Sequence, residues 1–137
     1  MTLNQGASQE AIQYYYDVGN DFYAHWLGPT MIYSAAIWAD DPKVACSLED
    51  AQHTKLDWHI AGTGLGKGDR MPDIGCGWGG TMRRAIDSAG IGEAVGLTLS
   101  DAQADWIAEH QAAGQPIRVA VQPWQAYRDP EPFDGII

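Results

Sequence analysis

The chain has 137 residues, 45% of them hydrophobic and 19% charged, with 18 acidic against 8 basic side chains, which is the profile of one folded globular domain and excludes a disordered segment. A formal net charge of -10 opposes binding to polyanions, and the Lys and Arg residues form no basic stripe, so nucleic acid is not an expected partner. There is no run of 18 or more apolar residues, and Met1-Thr2-Leu3-Asn4-Gln5-Gly6 lacks the basic and apolar regions of a signal peptide, which predicts a cytoplasmic protein with no transmembrane segment. Cys46 and Cys76 lie far apart with no CxxC spacing or His-rich tract near them, so reduced thiols are expected and neither a disulfide nor a metal site. His25, His53, His59 and His110 are scattered singly and carry no assignment.

In chain order, the first stretch is aromatic and helical in pattern. Ile12, Tyr15 and Tyr16, then Phe22, Tyr23, Trp26 and Leu27, recur at three- and four-residue spacings that place them on one face of short helices, and Gly28-Pro29 ends the run. A second helix is predicted from Ser47, whose hydroxyl can cap a backbone amide while Asp50, three residues on, reaches back; it carries Ala51, Lys55 and Trp58 toward Ile60. The glycine-rich stretch Ala61–Asp69 then divides the chain into a helical segment, 1–60, and a segment of different texture, 61–137.

Beyond the glycines, short apolar runs alternate with helical ones. The pattern predicts a strand over Arg70–Ile74, a helix over Thr81–Ser88, a strand over Ala94–Thr98, a helix over Asp101–Gln111, a strand over Ile117–Val121 and the start of another at Phe133–Ile137. Alternating strands and helices imply crossovers, hence an α/β fold with a parallel sheet covered on both faces. Pro72 does not fit a central strand, where it removes a ladder hydrogen bond.

The turn Asp73-Ile74-Gly75-Cys76-Gly77-Trp78-Gly79-Gly80 follows a predicted strand and opens a helix, so its backbone can approach a nucleoside cofactor without interference from Cβ atoms. The spacing fits both the dinucleotide fingerprint and the form typical of S-adenosylmethionine sites. Two neighbours favour the second. A nicotinamide site needs an acid at the end of the next strand to take the ribose hydroxyls, and that strand ends Gly96-Leu97-Thr98-Leu99-Ser100, with Asp101 already in the following helix. Asp73, at the mouth of the first strand, suits a cofactor carrying an ammonium and a sulfonium better than one carrying a pyrophosphate. The bland readings stand beside these: a tight glycine connection with no ligand, Gln103 closing its own helix with Ser100 as a capping box, and Trp58, Trp78, Trp106 and Trp124 as core or rim aromatics.

Taken together, Tyr16-Asp17-Val18-Gly19-Asn20-Asp21-Phe22-Tyr23, Leu27-Gly28-Pro29-Thr30-Met31-Ile32-Tyr33-Ser34, Leu48-Glu49-Asp50-Ala51-Gln52 with Lys55-Leu56-Asp57, the glycine turn through Thr81-Met82, and Val95-Gly96-Leu97-Thr98-Leu99-Ser100-Asp101-Ala102-Gln103-Ala104 resemble the cyclopropane fatty acid synthase and mycolic acid methyltransferase family over almost the whole chain. The resemblance implies a Rossmann-like class I S-adenosylmethionine-dependent methyltransferase fold, a doubly wound parallel sheet preceded by helices that cover the cofactor and shape an apolar substrate pocket. By the same resemblance Tyr33 and Ser34 would meet the methionine end of the cofactor. Asp73, Gly75, Gly77 and Gly79, with Trp78 in the same turn, would line its amino-acid and ribose portion; Thr98, Leu99 and Gln103 would hold ribose and adenine, and Trp124 would lie beside the adenine. The family's reaction is attack by an electron-rich carbon, typically a lipid alkene, on the sulfonium methyl, with bicarbonate removing a proton where a cyclopropane forms. Aromatic faces at Tyr16 and Trp26 would suit the intermediate cation.

The sequence departs from the family at Ala35, where a cysteine helping to hold bicarbonate is usual, and at Tyr15, where a histidine is usual; both favour plain methyl transfer, to carbon or to a heteroatom of an apolar or lipid-like acceptor and with carbon favoured, over cyclopropanation. Pro123 also replaces the usual small or acidic residue before Trp124. The sequence ends at Ile137, in the predicted fourth strand, where the family continues, so the chain is expected to be a fragment or to be completed by another chain. The competing classes are a cofactor- or partner-binding module without catalysis, and a nicotinamide-dependent oxidoreductase, which the absent strand-end acid disfavours.

Overall fold

In the computed structural model, which describes residues 8–16, 18–41 and 46–137, helices precede a parallel sheet. The helices α1 (Gln9–Tyr16) and α2 (Asn20–Leu27) have eight residues each, and α3 (Leu48–Thr63) has sixteen. The chain then alternates through β1 (Arg70–Ile74), α4 (Gly80–Ala89), β2 (Glu93–Thr98), α5 (Asp101–His110) and β3 (Ile117–Val121). Four ends shift by a residue from the sequence expectation: α4 is one residue longer at each end, β2 starts at Glu93 and α5 stops at His110. Asp17 lies outside the described residues, as do residues 1–7.

Helix α3 begins where the sequence chemistry places it. Ser47 accepts a hydrogen bond from the Asp50 amide at 3.1 Å while the Asp50 carboxylate accepts from the Ser47 amide at 3.1 Å, so two otherwise unpaired amides are satisfied reciprocally. Gly64, left-handed at φ 73°, closes the other end, with its amide donating to the Ala61 carbonyl. Ser47→Ala is therefore expected to cost about 1 kcal/mol in chemical unfolding, with Ser47→Thr recovering most of it; equal losses in both variants would assign the effect to packing at 47 instead. The buried side of α3 is Ala51, Gln52, Leu56 and Ile60, whereas Trp58, expected to travel with Ala51, is two-thirds exposed. The helix also runs past the predicted segment border at 60 and packs Leu56 and Ile60 into the same core as Met71 of β1.

The strands lie in the order β1-β2-β3, all parallel, with Met71 opposite Ala94 and Ala94 opposite Ile117. Both crossovers run the same way along the sheet, so right-handed connections put α4 and α5 on one face. Met71, Ala94 and Ile117 meet Met82 and Ala85 of α4, Ile107 of α5 and Leu56 and Ile60 of α3 there. The opposite pleats, Arg70, Val95 and Arg118, face the irregular stretch after β3, where Asp129 accepts from Arg70 at 2.9 Å and from Arg118 at 3.0 Å. Loop chain and ion pairs, with no helix among the described residues, cover this second face.

The expected strand over Phe133–Ile137 is present only as an extended segment beside β1. The Asp134 amide donates to the Arg70 carbonyl, the Ile137 amide to the Pro72 carbonyl, and the Ile74 amide to the Ile137 carbonyl. This explains Pro72. The N–H and C=O of one strand residue point to the same side, and the Pro72 carbonyl points to the terminal segment, so the missing donor removes a rung there and none from the β1–β2 ladder. The segment also reverses the strand order: the chain moves outward from β1 to β3, then returns to the other side of β1. Such a reversal is the switch point at which open α/β sheets leave a crevice beyond their carboxyl ends.

A second core ties the small helices to this crevice. Tyr23 and Leu27 of α2 pack with Met31 and Trp78, and Tyr16, Ala24 and Trp106 close the cluster. Among the described residues, no helix is long and apolar enough to cross a membrane.

Candidate cofactor site at the end of the first strand

Residues 75–79 turn the chain from β1 into α4 directly at the switch point. The amides of Gly75 and Cys76 both donate to the Leu97 carbonyl, at 2.9 and 3.1 Å, which pins the turn to the end of β2. Gly75 and Gly77 have φ of 85° and 54°, and a Cβ built on either meets nothing within 4 Å. Space that a side chain could fill is left open above the backbone, as close approach of a ligand requires. Gly79 differs, because a Cβ there would lie 3.2 Å from Ile107; it serves the packing of α4 against α5.

Asp73, the next-to-last residue of β1, is 5% exposed, and its Oδ2 has no hydrogen-bond partner. Burial raises its pKa to about 7, and Lys55, which lies within electrostatic reach, pulls it back down in part. A buried carboxylate oxygen lacking a donor costs about 1–3 kcal/mol or more when charged, and a cationic donor in the crevice would remove that cost.

The other expected cofactor residues divide into groups. Thr98, at the end of β2, donates to Gln103 Oε1 at 2.7 Å, and the Ser100 hydroxyl accepts from the Gln103 amide at 3.3 Å. Gln103 thus does not reach back to the Ser100 amide as a full capping box would; that amide donates to Thr98 Oγ1 at 3.1 Å instead. The Gln103 side chain also comes within reach of the Tyr16 hydroxyl, whose pKa burial raises and Gln103 partly lowers. This brings Tyr16 of α1 to the β2 end. Leu99 is half-buried beside them. Trp124, just beyond β3, is 59% exposed at the same end of the sheet.

Trp78 occupies the core and not the open side of the turn. It is 2% exposed, its indole N–H donates to Asn20 Oδ1 at 2.8 Å, and its ring meets Tyr16 edge-on at 5.6 Å. Asn20 in turn donates to the Ala102 carbonyl at 2.8 Å, so one side chain locks α2 to both the glycine turn and α5.

Tyr33 and Ser34 follow Met31, a non-glycine residue held at φ 52°, in the loop between α2 and α3. Gln52 of α3 fastens this loop: its amide donates to the Ile32 carbonyl at 3.2 Å, and its Oε1 accepts from Thr30 at 2.7 Å. Tyr33 shares a hydrogen bond of 3.1 Å with Tyr15, which pushes its pKa up to about 12. Trp26 meets the Tyr33 ring edge-on at 5.0 Å. A pocket of about 330 Å³ opens beside them, lined by Trp26, Leu27, Ile32, Tyr33, Ser34, Leu48 and Gln52.

Sequence reasoning missed Lys55 as a site residue. Its ammonium donates to Ser34 Oγ at 2.8 Å, and its field acts on Asp73. The signal was faint, since a Lys on a mixed helix reads as a solvated residue. Only the packing of α3 against the sheet turns it inward.

Comparison with known proteins agrees with this architecture. The family model described as mycolic acid cyclopropane synthetase matches residues 4–137. Cyclopropane mycolic acid synthase 1 of Mycobacterium tuberculosis is 36% identical over 129 residues, covering 92% of this chain and 43% of the relative. Hydroxymycolate synthase of Mycobacterium bovis is 37% identical over 131 residues, covering 93% and 42%. The chain therefore spans less than half the length of these curated relatives. The crystal structure of the mycolic acid cyclopropane synthase complexed with S-adenosylhomocysteine and CTAB superposes with a TM-score of 0.80 at 33% identity, covering 90% of this chain and 43% of that one. Coclaurine N-methyltransferase, at 18% identity and a TM-score of 0.82, covers 96% of this chain and 38% of its own and shares the fold. On the family match and these identities, the chain belongs to the mycolic acid cyclopropane synthetase family.

Proposed function

We propose that the chain is the cofactor-binding half of an S-adenosylmethionine-dependent methyltransferase acting on an apolar, lipid-like acceptor, with transfer to carbon. The observation that carries the reading is the unpartnered Oδ2 of buried Asp73 beside the open backbone of Gly75 and Gly77. A carboxylate without a donor next to a cradle without side chains fits an ammonium-bearing nucleoside. When bound, that cofactor supplies an electrophilic methyl on sulfur.

Each group of residues then has a role its surroundings support. Asp73 takes the ammonium, and Gly75 and Gly77 admit the amino-acid and ribose portion. Thr98 and Gln103, hydrogen-bonded to each other, present polar atoms at the ribose, while Leu99 and Trp124 offer apolar surface toward an adenine. Tyr33 and Ser34 border the cofactor end and also line the pocket of about 330 Å³, so that pocket is placed to hold an acceptor against the methyl. Its lining is predominantly apolar, and the related enzymes act in mycolic acid chemistry by name. Tyr16 and Trp26 supply aromatic faces for a developing cation. Ala35 supplies no group that could hold bicarbonate, which supports methyl transfer over ring closure.

The test is a calorimetric titration of the 137-residue chain with S-adenosylhomocysteine. Micromolar binding, about -8 kcal/mol, is the expected result. A folded chain that gives no heat with it and saturates with NADH would overturn the reading.

A further inference from the structure

The zwitterionic end of the cofactor presents two charges, and Asp73 answers only one of them. We propose that Lys55 of α3 binds the carboxylate of the cofactor's amino-acid end while Asp73 binds its ammonium, so that the two side chains together read an α-amino-acid zwitterion. This inference rests on the cofactor reading above.

The geometry comes from three elements. Lys55 enters from α3, Asp73 from the end of β1, and Ser34 from the loop before α3. The Lys55 ammonium is held by the Ser34 hydroxyl at 2.8 Å, a neutral partner that leaves the positive charge uncompensated. Among the other half-buried cations, Arg70 pairs with Glu93 and Asp129 and Arg84 makes a paired contact with Asp57, whereas Arg83 donates from α4 to the Trp78 carbonyl at 2.7 Å. Asp73, for its part, has a buried oxygen with no donor. A cation and an anion are thus held near each other by different elements, each left short of an ionic partner. One α-amino acid satisfies both at once, giving the ammonium to Asp73 and the carboxylate to Lys55. Burial of Lys55 also weakens its hold on the proton while Asp73 strengthens it, as expected for an ammonium waiting for a second anion.

Three ligands separate this role from a structural one: S-adenosylhomocysteine, its decarboxylated analogue with the amine retained, and methylthioadenosine, which lacks both charges. Each is titrated into the wild-type chain, Lys55→Met and Lys55→Arg. Lys55→Met is expected to weaken S-adenosylhomocysteine by 10- to 100-fold and to leave the decarboxylated analogue unchanged or tighter, because its ammonium no longer meets a like charge. Methylthioadenosine should be unaffected, and Lys55→Arg should restore most of the loss. Equal weakening of all three ligands in Lys55→Met would mean that Lys55 only holds the site's shape, and the proposal fails. It also fails if S-adenosylhomocysteine binds Lys55→Met as it binds the wild type. Wild-type protein that binds none of the three overturns the cofactor reading itself.

Discussion

Asp73→Asn is expected to yield a protein that is more stable above neutral pH and at least 100-fold weaker for S-adenosylhomocysteine. The two effects have one cause. Burial raises the folded-state pKa of Asp73 to about 7 from an ordinary 3.8, so the folded protein holds this proton more tightly than the unfolded chain does. Stability is then lost as pH rises from about 4 to about 7, and the loss is complete above 7, where the carboxylate is charged in both states. A shift of about three units corresponds to about 4 kcal/mol at that plateau. Asn carries no charge, so the gap in unfolding free energy between variant and wild type should be small at pH 4, widen to about pH 7 and then stay constant. Binding runs the opposite way. An ammonium ligand needs the ionised carboxylate, so wild-type affinity should fall about tenfold per unit below pH 7, and the Asn variant should show neither the slope nor the affinity. Chemical unfolding and S-adenosylhomocysteine titrations at pH 5, 6, 7 and 8 supply both curves. A variant that binds within a few-fold of wild type at pH 8 would remove Asp73 from the site. An unfavourable group kept where it meets the ligand is a common exchange of stability for function.

What a sequence makes legible follows from which interactions are local. The start of α3 was legible because a capping box is written in four consecutive residues, Ser47 to Asp50. The three strands were legible because short apolar runs flanked by glycine carry their own signal, and Asp73-x-Gly75-x-Gly77 marked the site because its chemistry sits in one turn. Contacts between distant segments were not. Pro72 looked wrong in a central strand until the terminal segment supplied the side on which its missing donor falls. The same segment looked like a strand but makes only a few ladder bonds to β1. Trp78 read as part of a ligand turn, but Asn20, 58 residues away in sequence, takes its indole proton and seats it in the core. Lys55 became visible only when α3 and the loop of Ser34 were placed against the sheet.

Gly96→Ala is expected to destabilise the protein and loosen the cofactor turn together, because the strand glycine packs directly against that turn. Gly96 sits in β2 directly opposite Asp73, with Val119 on its other side. A Cβ at 96 would lie 2.7 Å from Cys76 Sγ, 2.7 Å from Met82 Cε and 3.1 Å from Cys76 Cβ. The Met82 and Cys76 tips end side chains that are fully and nearly fully buried, Cys76 Cβ is fixed to the turn backbone, and β2 is hydrogen-bonded on both edges. Overpacking of this kind costs about 1–3 kcal/mol, and here the upper end is expected. Cys76 is the residue between the two cradle glycines, so relief of the clash shifts the turn and should also weaken S-adenosylhomocysteine about tenfold. Gly77→Ala makes the contrast, since its Cβ meets nothing and only a left-handed backbone costing about 1–2 kcal/mol opposes it, while the new methyl fills the cradle; it should lose more affinity and less stability. Adding Cys76→Ala to Gly96→Ala removes the sulfur and should recover part of the lost stability, a coupling that unfolding of the single and double variants measures directly. Additive losses in that cycle would mean that the strand glycine and the turn are not in contact as described, and that the turn is held by its bonds to the Leu97 carbonyl and by the α2 aromatic cluster instead.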